Sequence, residues 1–305
     1  MLPGYIVVDD FFSEAAALRA GIDAHFAEPT RHKAETHQVW NYWYVPGLYT
    51  YLRTSPERVL PREPLSRFFA RLRAVALFRF GLAHVTWPYL SLYVAGCQQG
   101  LHNDATNGRL GFVYSLTRWD ERKFLGGETL IFREQDYVGT SAVTRANAGS
   151  GLYDLIPARF NRLLLFDDRL VHAVPRLEGS MVPGEGRLVL HGHLSEGPLE
   201  VNGALALGVV QATIDRLRPV LQQRVAEAGR GLAGLVTVRL TVGADGRVLK
   251  SEVLFDRLLA AARPAADPAA AAAAVAELLG SANFPGAEGS SFVTVPVPFA
   301  PAAGT

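Results

Sequence analysis

Two stretches of the sequence decide the fold: YLSLYVAGCQQGLHNDATNGRLGFVYSLTRWDERKFLGGETLIF (89–132) and YDLIPARFNRLLLFDDRLVHAVPRLEGSMVPGEGRLVLHGHL (153–194). Both consist of short apolar runs, typical of strands, separated by turns rich in glycine and asparagine. Upstream, residues 13–28 and 64–82 have the apolar spacing of amphipathic helices. The sequence therefore predicts an α+β chain whose first domain is a double-stranded β-helix, or jelly roll, backed by N-terminal helices.

Three residues in these stretches form a candidate metal site. His102 and Asp104 lie two positions apart, so in an extended strand both side chains point to the same face. His172 lies on a later apolar segment, and Arg187 follows it by fifteen residues. Two imidazoles and one carboxylate form the ligand set of non-haem Fe(II) oxygenases. The plainer alternative is a surface turn pair at His102 and Asp104, with His172 as an ordinary core histidine.

The composition excludes several classes of protein. The chain has 305 residues, 49% of them apolar, with a formal net charge of +1. This balance gives no reason to expect nucleic acid or an anionic membrane as a partner. A single cysteine, Cys97, excludes an intramolecular disulfide and makes a closed zinc site unlikely. Without a signal peptide or a long apolar run, the chain is expected to be cytoplasmic.

Residues 90–194 resemble the prolyl-hydroxylase branch of the Fe(II)/2-oxoglutarate-dependent oxygenases. The H-x-D motif of that family is matched by His102-Asn103-Asp104, and its distal H-x-V by His172-Ala173-Val174. Three further segments match: GGETLIF at 126–132, RLLLF at 162–166 and GRL at 186–188. The interval between His172 and Arg187 is longer than usual, and we interpret the insert EGSMVPGE as a longer hairpin loop.

The resemblance implies a role for each matched residue. His102, Asp104 and His172 would bind the catalytic Fe(II), and Arg187 would hold the co-substrate 2-oxoglutarate. Tyr93 would line the co-substrate pocket with Ser115 as a polar neighbour. A regular strand would also place His191 on the same face as Arg187. O2 is the second co-substrate, and ascorbate would act as a reductant.

Other residues carry weaker signals. His25, His32, His37, His84 and His193 have no partner pattern, so we interpret them as structural histidines. Asp167 and Asp168 either cap a turn or orient His172. The segment VWNYWYVPGLYTY (39–51) either packs its aromatic rings against the sheet or forms a wall of the substrate pocket.

The composition changes near residue 200, which predicts a first domain at 1–200 and a second at 201–305. The second begins with a long helical pattern in which Pro219 predicts a kink. A hairpin with an Asp245-Gly246 turn, an alanine-rich helix and a last strand follow. Residues 205–300 are similar to the C-terminal domain of TonB and of related myxobacterial gliding-motility proteins. That likeness implies an αββαβ fold that binds partners through a sheet edge, without catalysis. The domain would recruit a peptide substrate, dimerise, or only stabilise the enzyme.

Together these observations predict an Fe(II)- and 2-oxoglutarate-dependent dioxygenase that hydroxylates an unactivated C–H bond, with succinate and CO2 as co-products. The substrate would be a peptidyl residue, a free amino acid or a natural-product intermediate. The alternative is a non-catalytic scaffold protein that combines a degenerate jelly roll with a partner-binding C-terminal domain.

Overall fold

The fold is given by a computed structural model, which describes residues 4–27, 39–105, 107–133, 152–260 and 265–299. The chain forms two compact units, one comprising Leu2–Leu72 with Val85–Ser195 and the other Arg73–His84 with Glu196–Thr305. His32 and His37 lie outside the described residues. Within the described ranges, no helix is long and apolar enough to cross a membrane.

The secondary structure consists mainly of short strands. The helices are α1 (Ala15–Ala27), α2 (Arg62–Phe80), α3 (Leu207–Ala228) and α4 (Pro268–Gly280). The strands up to Ser195 are β1 (Tyr5–Val8), β2 (Asn41–Val45), β3 (Tyr49–Thr54), β4 (His84–Tyr93), β5 (Gln98–His102), β6 (Leu110–Ser115), β7 (Phe124–Leu125), β8 (Thr129–Phe132), β9 (Tyr153–Ile156), β10 (Leu163–Asp167), β11 (His172–Val174), β12 (Glu178–Gly179) and β13 (Arg187–Ser195). The later strands are β14 (Glu200–Gly203), β15 (Leu232–Val242), β16 (Val248–Ala260) and β17 (Ser291–Phe299).

The first unit is built on one mostly antiparallel sheet of 11 strands. Its order is β1-β10-β6-β13-β4-β3-β5-β11-β8-β9, and β2 pairs with β3. Strands β10 and β11 are far apart in this order, yet the rings of Phe166 and His172 are 4.7 Å apart. The sheet therefore curls until its two ends face each other, which is consistent with the predicted jelly roll.

Helix α2 supports this sheet through an apolar stripe. Leu65, Phe68 and Leu72 are buried at the three- and four-residue spacing of one helix face. The Phe68 ring lies 4.5 Å from the ring of Tyr114 on β6 and 5.6 Å from that of Phe12. These contacts fix one face of the sheet, so that its other face is free to line a cavity.

The second unit has a sheet in the order β14-β17-β15-β16, with its core closed by α3 and α4. Its strand β14 was not anticipated, and α3 continues through Pro219. The turn at Asp245-Gly246 joins β15 to β16, as its sequence predicts, and Gly246 has φ +83° there. The similarity of this region to TonB and the boundary near residue 200 stay predictions.

Candidate metal centre and its cavity

Two paired strands bring together His102, Asp104 and His172. His102 ends β5 and His172 begins β11, and the two residues are direct partners in the antiparallel pairing. Asp104 Oδ2 lies 3.3 Å from His172 Nε2 and 4.0 Å from His102 Nε2. The three donor atoms all lie within 4.8 Å of one another, so a single metal ion can contact all of them.

The backbone fixes which nitrogen of each ring faces this point. His102 Nδ1 donates to the Gly100 carbonyl at 2.7 Å, and His172 Nδ1 donates to the Leu170 carbonyl at 3.0 Å. A carbonyl can only accept, so Nδ1 carries the proton in both rings and the Nε2 lone pairs stay free. Metal-binding histidines are typically oriented in this way, by a partner on the second ring nitrogen.

The charges at the site also suit a metal. Burial, together with the nearby His172, lowers the pKa of His102 and favours the neutral ring that ligates metals. Burial alone would raise the pKa of Asp104, but its close contact with the His172 ring holds the pKa below its ordinary value in the absence of a metal. Neutral imidazole and ionised carboxylate together form a cluster able to bind iron.

Arg187 is buried in the same cavity with most of its hydrogen-bonding capacity unused. It begins β13, is 1% exposed, and donates from Nη2 to Thr129 Oγ1 at 3.2 Å. Its Nε and Nη1 atoms have no hydrogen-bond partner among the described residues. The Tyr93 ring centroid lies 4.7 Å from the guanidinium carbon. A carboxylate would suit this guanidinium, because it can accept two parallel hydrogen bonds from Nη2 and one of the unpaired nitrogens.

The long interval before Arg187 differs from the expected hairpin. Strands β11 and β13 are not neighbours in the sheet, so residues 175–186 connect separate parts of it. Within this interval β12 pairs with β7, and Pro183–Glu185 form a short 3-10 helix. The insert therefore crosses between strands, and Arg187 still lines the same cavity as the His-Asp-His cluster.

Of the remaining predicted site residues, two line the cavity and one does not. Tyr93 and His191 both line the cavity. His191 Nε2 and Ser91 Oγ form a hydrogen bond of 2.7 Å. Burial of the His191 ring lowers its pKa to about 3. The structure does not bring Ser115 to the cavity, since its hydroxyl donates to the Ala158 carbonyl at 2.7 Å.

A buried ion pair beside the cluster was missed from the sequence. His193 Nδ1 lies 3.0 Å from Asp168 Oδ2, and Asp168 is fully buried. This hydrogen bond and charge raise the pKa of His193, although burial alone would lower it. Asp168 thus orients His193 rather than His172, and its carbonyl accepts the Asp104 amide at 2.8 Å. Residues 187, 189, 191 and 193 lie on one face of β13, and this alternation was the sequence signal that could have revealed His193 as a cavity residue.

The aromatic segment 39–51 forms a wall of the cavity, whose volume is about 310 Å³. Trp43, Tyr49 and Tyr51 line it, which favours the pocket-wall interpretation of this segment. The Tyr49 ring lies 5.2 Å from that of His102, and burial raises the pKa of Tyr49 to about 12. The Tyr51 ring stacks on Tyr93 at 4.9 Å.

No protein-family model matches the chain, and no curated protein is significantly similar to it. Among solved structures, it is similar to a prolyl-4-hydroxylase from Pseudomonas putida, with 17% identity and a TM-score of 0.45 over 64% of this chain and 94% of that one. The alpha ketoglutarate-dependent epimerase SnoN from nogalamycin biosynthesis is similar with 14% identity and a TM-score of 0.44, over 62% and 75% of the two chains. EctD from S. alaskensis has 18% identity and a TM-score of 0.40, over 62% and 72%. Structures of SnoN with Fe3+ and alpha ketoglutarate and of EctD with 2-oxoglutarate are among these. Similarities this remote do not assign a function, which depends on the chemistry of the site.

Proposed function

We propose that this protein is an Fe(II)- and 2-oxoglutarate-dependent dioxygenase that hydroxylates an unactivated C–H bond. One observation carries the proposal. A His-Asp-His cluster with both Nε2 lone pairs free lines the same cavity as a buried arginine that has two unpaired nitrogens. Either feature alone would suit many proteins. Together they match the needs of a metal and a dicarboxylic co-substrate in one cavity.

His102, Asp104 and His172 would hold the iron through their two Nε2 atoms and one carboxylate oxygen. The co-substrates of the reaction would be 2-oxoglutarate and O2. Bound iron would supply the oxygen chemistry, in which one oxygen atom enters the substrate and the other enters succinate as CO2 leaves.

The other residues of the cavity would bind, orient and exclude water. Arg187 would pair with the distal carboxylate of 2-oxoglutarate through one of its unpaired nitrogens and the second hydrogen of Nη2, and Thr129 holds the guanidinium in place. The stacked rings of Tyr51 and Tyr93 form an apolar wall next to that guanidinium. Such a wall keeps water from competing for the charged groups, and thereby strengthens their interaction.

The test is production of succinate from 2-oxoglutarate by the purified protein with Fe(II) and ascorbate. The wild type should make succinate and His102→Ala should make none, because one ligand of the cluster is gone. His84→Ala is a matched control, since this exposed histidine does not line the cavity and its loss should leave the rate unchanged. A wild-type protein that binds neither iron nor 2-oxoglutarate would exclude the proposal.

A further inference from the structure

A second arginine, Arg53, lines the cavity and is held there by aromatic rings. Its guanidinium carbon lies 3.6 Å from the centroid of the Trp43 ring and 4.2 Å from that of Tyr89. Cation–π contacts of this kind fix a guanidinium in place without neutralising its charge. The hydroxyl of Tyr51, a neutral group, is its other polar neighbour. Arg53 is therefore a positioned cation on the cavity wall.

Several other arginines of this unit pair with carboxylates, whereas Arg53 lines the cavity without such a partner among the residues that the structure describes. Examples of paired arginines are Arg19 and Arg118 with Asp23, Arg162 with Asp9, and Arg169 with Asp167. Arg53 is only partly buried, so its N–H groups remain within reach of a ligand in the cavity. A half-buried cation without a counter-charge favours binding of an anion.

The charges of the cavity lining also favour an anionic ligand. Among the described residues that line the cavity, Asp104 is the one carboxylate, and it belongs to the metal cluster. Arg187 would be neutralised by 2-oxoglutarate under the proposed function. Arg53 would then remain as the cation with no assigned partner, so an anionic substrate is favoured over a cationic one.

Strand β3 arranges these groups along one wall. Tyr49, Tyr51 and Arg53 alternate on the strand, so all three side chains face the cavity. Tyr49 contacts His102 of the metal cluster, and Arg53 lies four residues further on, about 13 Å along an extended strand. A ligand with its anionic end at Arg53 can therefore direct an apolar body past Tyr51 toward the metal cluster.

We propose that Arg53 binds the carboxylate of the substrate, which is then a small carboxylic acid with an apolar or aromatic body. This inference rests on the proposed function, because it concerns the second substrate of that same site. A cavity of about 310 Å³ suits a small molecule. An internal residue of a peptide carries no free carboxylate of its own main chain, so the proposal separates the substrate classes left open by the sequence.

Equilibrium binding of 3-phenylpropanoate and 3-phenylpropanamide to the full-length protein tests this. The two probes have the same body and differ in the charge that Arg53 would recognise. The wild type should bind the acid about tenfold or more tightly than the amide, the usual gain from a hydrogen bond to a charged group. Arg53→Gln should reduce this ratio to about one, and Arg53→Lys should retain part of it.

Arg118→Gln is the matched control, since Arg118 pairs with Asp23 at 2.7 Å and does not line the cavity. It should keep the wild-type ratio. If Arg53→Gln unfolds, the comparison of Arg53→Lys with wild type decides, because a weaker preference is still expected. A wild type without preference for the acid refutes the proposal, as does a full preference in a folded Arg53→Gln variant.

The outcome is separable from that of the proposed function. Succinate production without any preference for the acid would refute the Arg53 site and leave the dioxygenase assignment in place. An Arg53-dependent preference in a protein that makes no succinate would support an acid-binding site and refute the dioxygenase assignment.

Discussion

Replacing Arg187 with methionine separates a co-substrate anchor from a structural arginine. Methionine keeps much of the length of the side chain and removes its charge. In the free protein Arg187 is 1% exposed, and its Nη2 donates a hydrogen bond to Thr129. A structural arginine would stabilise the fold through its contacts, whereas an anchor is a buried charge that gains its partner only when ligand binds.

The two roles predict opposite changes. Loss of two charge-assisted hydrogen bonds from the guanidinium to a carboxylate costs about 3–6 kcal/mol of binding at roughly 1.5–3 kcal/mol each. The dissociation constant of 2-oxoglutarate should therefore rise by about 10² to 10⁴. Without ligand, replacing this buried charge by an apolar side chain should leave the free energy of unfolding unchanged or raise it by up to roughly 3 kcal/mol. This range already subtracts about 1 kcal/mol for the lost hydrogen bond to Thr129.

Both quantities are measurable on one preparation. Calorimetric titration of 2-oxoglutarate into the Mn²⁺-loaded protein gives the dissociation constant, and denaturant unfolding of the ligand-free protein gives the stability. Arg118→Met, on the exposed surface, should change neither by more than about 0.5 kcal/mol. The reasoning is refuted if Arg187→Met binds 2-oxoglutarate as tightly as wild type, or if the ligand-free variant is clearly less stable.

Three further predictions concern the metal cluster, the ion pair beside it and a turn in the second unit. Removal of metal with EDTA should lower the Tm of the wild type but not that of His102→Ala, and equal shifts would contradict a metal at this cluster. Asp168→Asn should weaken Mn²⁺ binding roughly tenfold, because the lost carboxylate charge holds His193 and lies within 4.8 Å of the Asp104 ligand atom. Asp167→Asn, whose carboxylate pairs with Arg169, should bind normally. Gly246→Ala should destabilise the protein by about 2 kcal/mol or more in denaturant unfolding, since φ is +83° and the new Cβ would lie 1.9 Å from a carbonyl oxygen. Gly208→Ala, with open space around it, is the control, and an equal loss there would contradict this reason.

The parts of the fold that follow from local pattern could be predicted from the sequence. The stripe of Leu65, Phe68 and Leu72 in α2 and the Asp245-Gly246 turn each depend on residues close in the chain. The path of residues 175–186 could not be predicted in this way. In the sequence they lie between two successive strand patterns and suggest a hairpin loop, but β11 and β13 are not neighbours in the sheet. Only the long-range pairing of strands decides this.

The same distinction explains which parts of the site were visible in the sequence. The rings of His102 and His172 are each oriented by a carbonyl only two residues upstream, so the short segments around them already carry the geometry of a metal ligand. Arg187 meets Thr129 across 58 residues, and His193 meets Asp168 across 25. Contacts of this kind form only when the sheet curls. In the sequence, the residues that make them are visible only as single polar residues on apolar strands. A polar residue at the inward positions of an otherwise apolar strand is therefore the most useful signal here. In β13 that signal singles out Arg187, His191 and His193, all of which line the cavity.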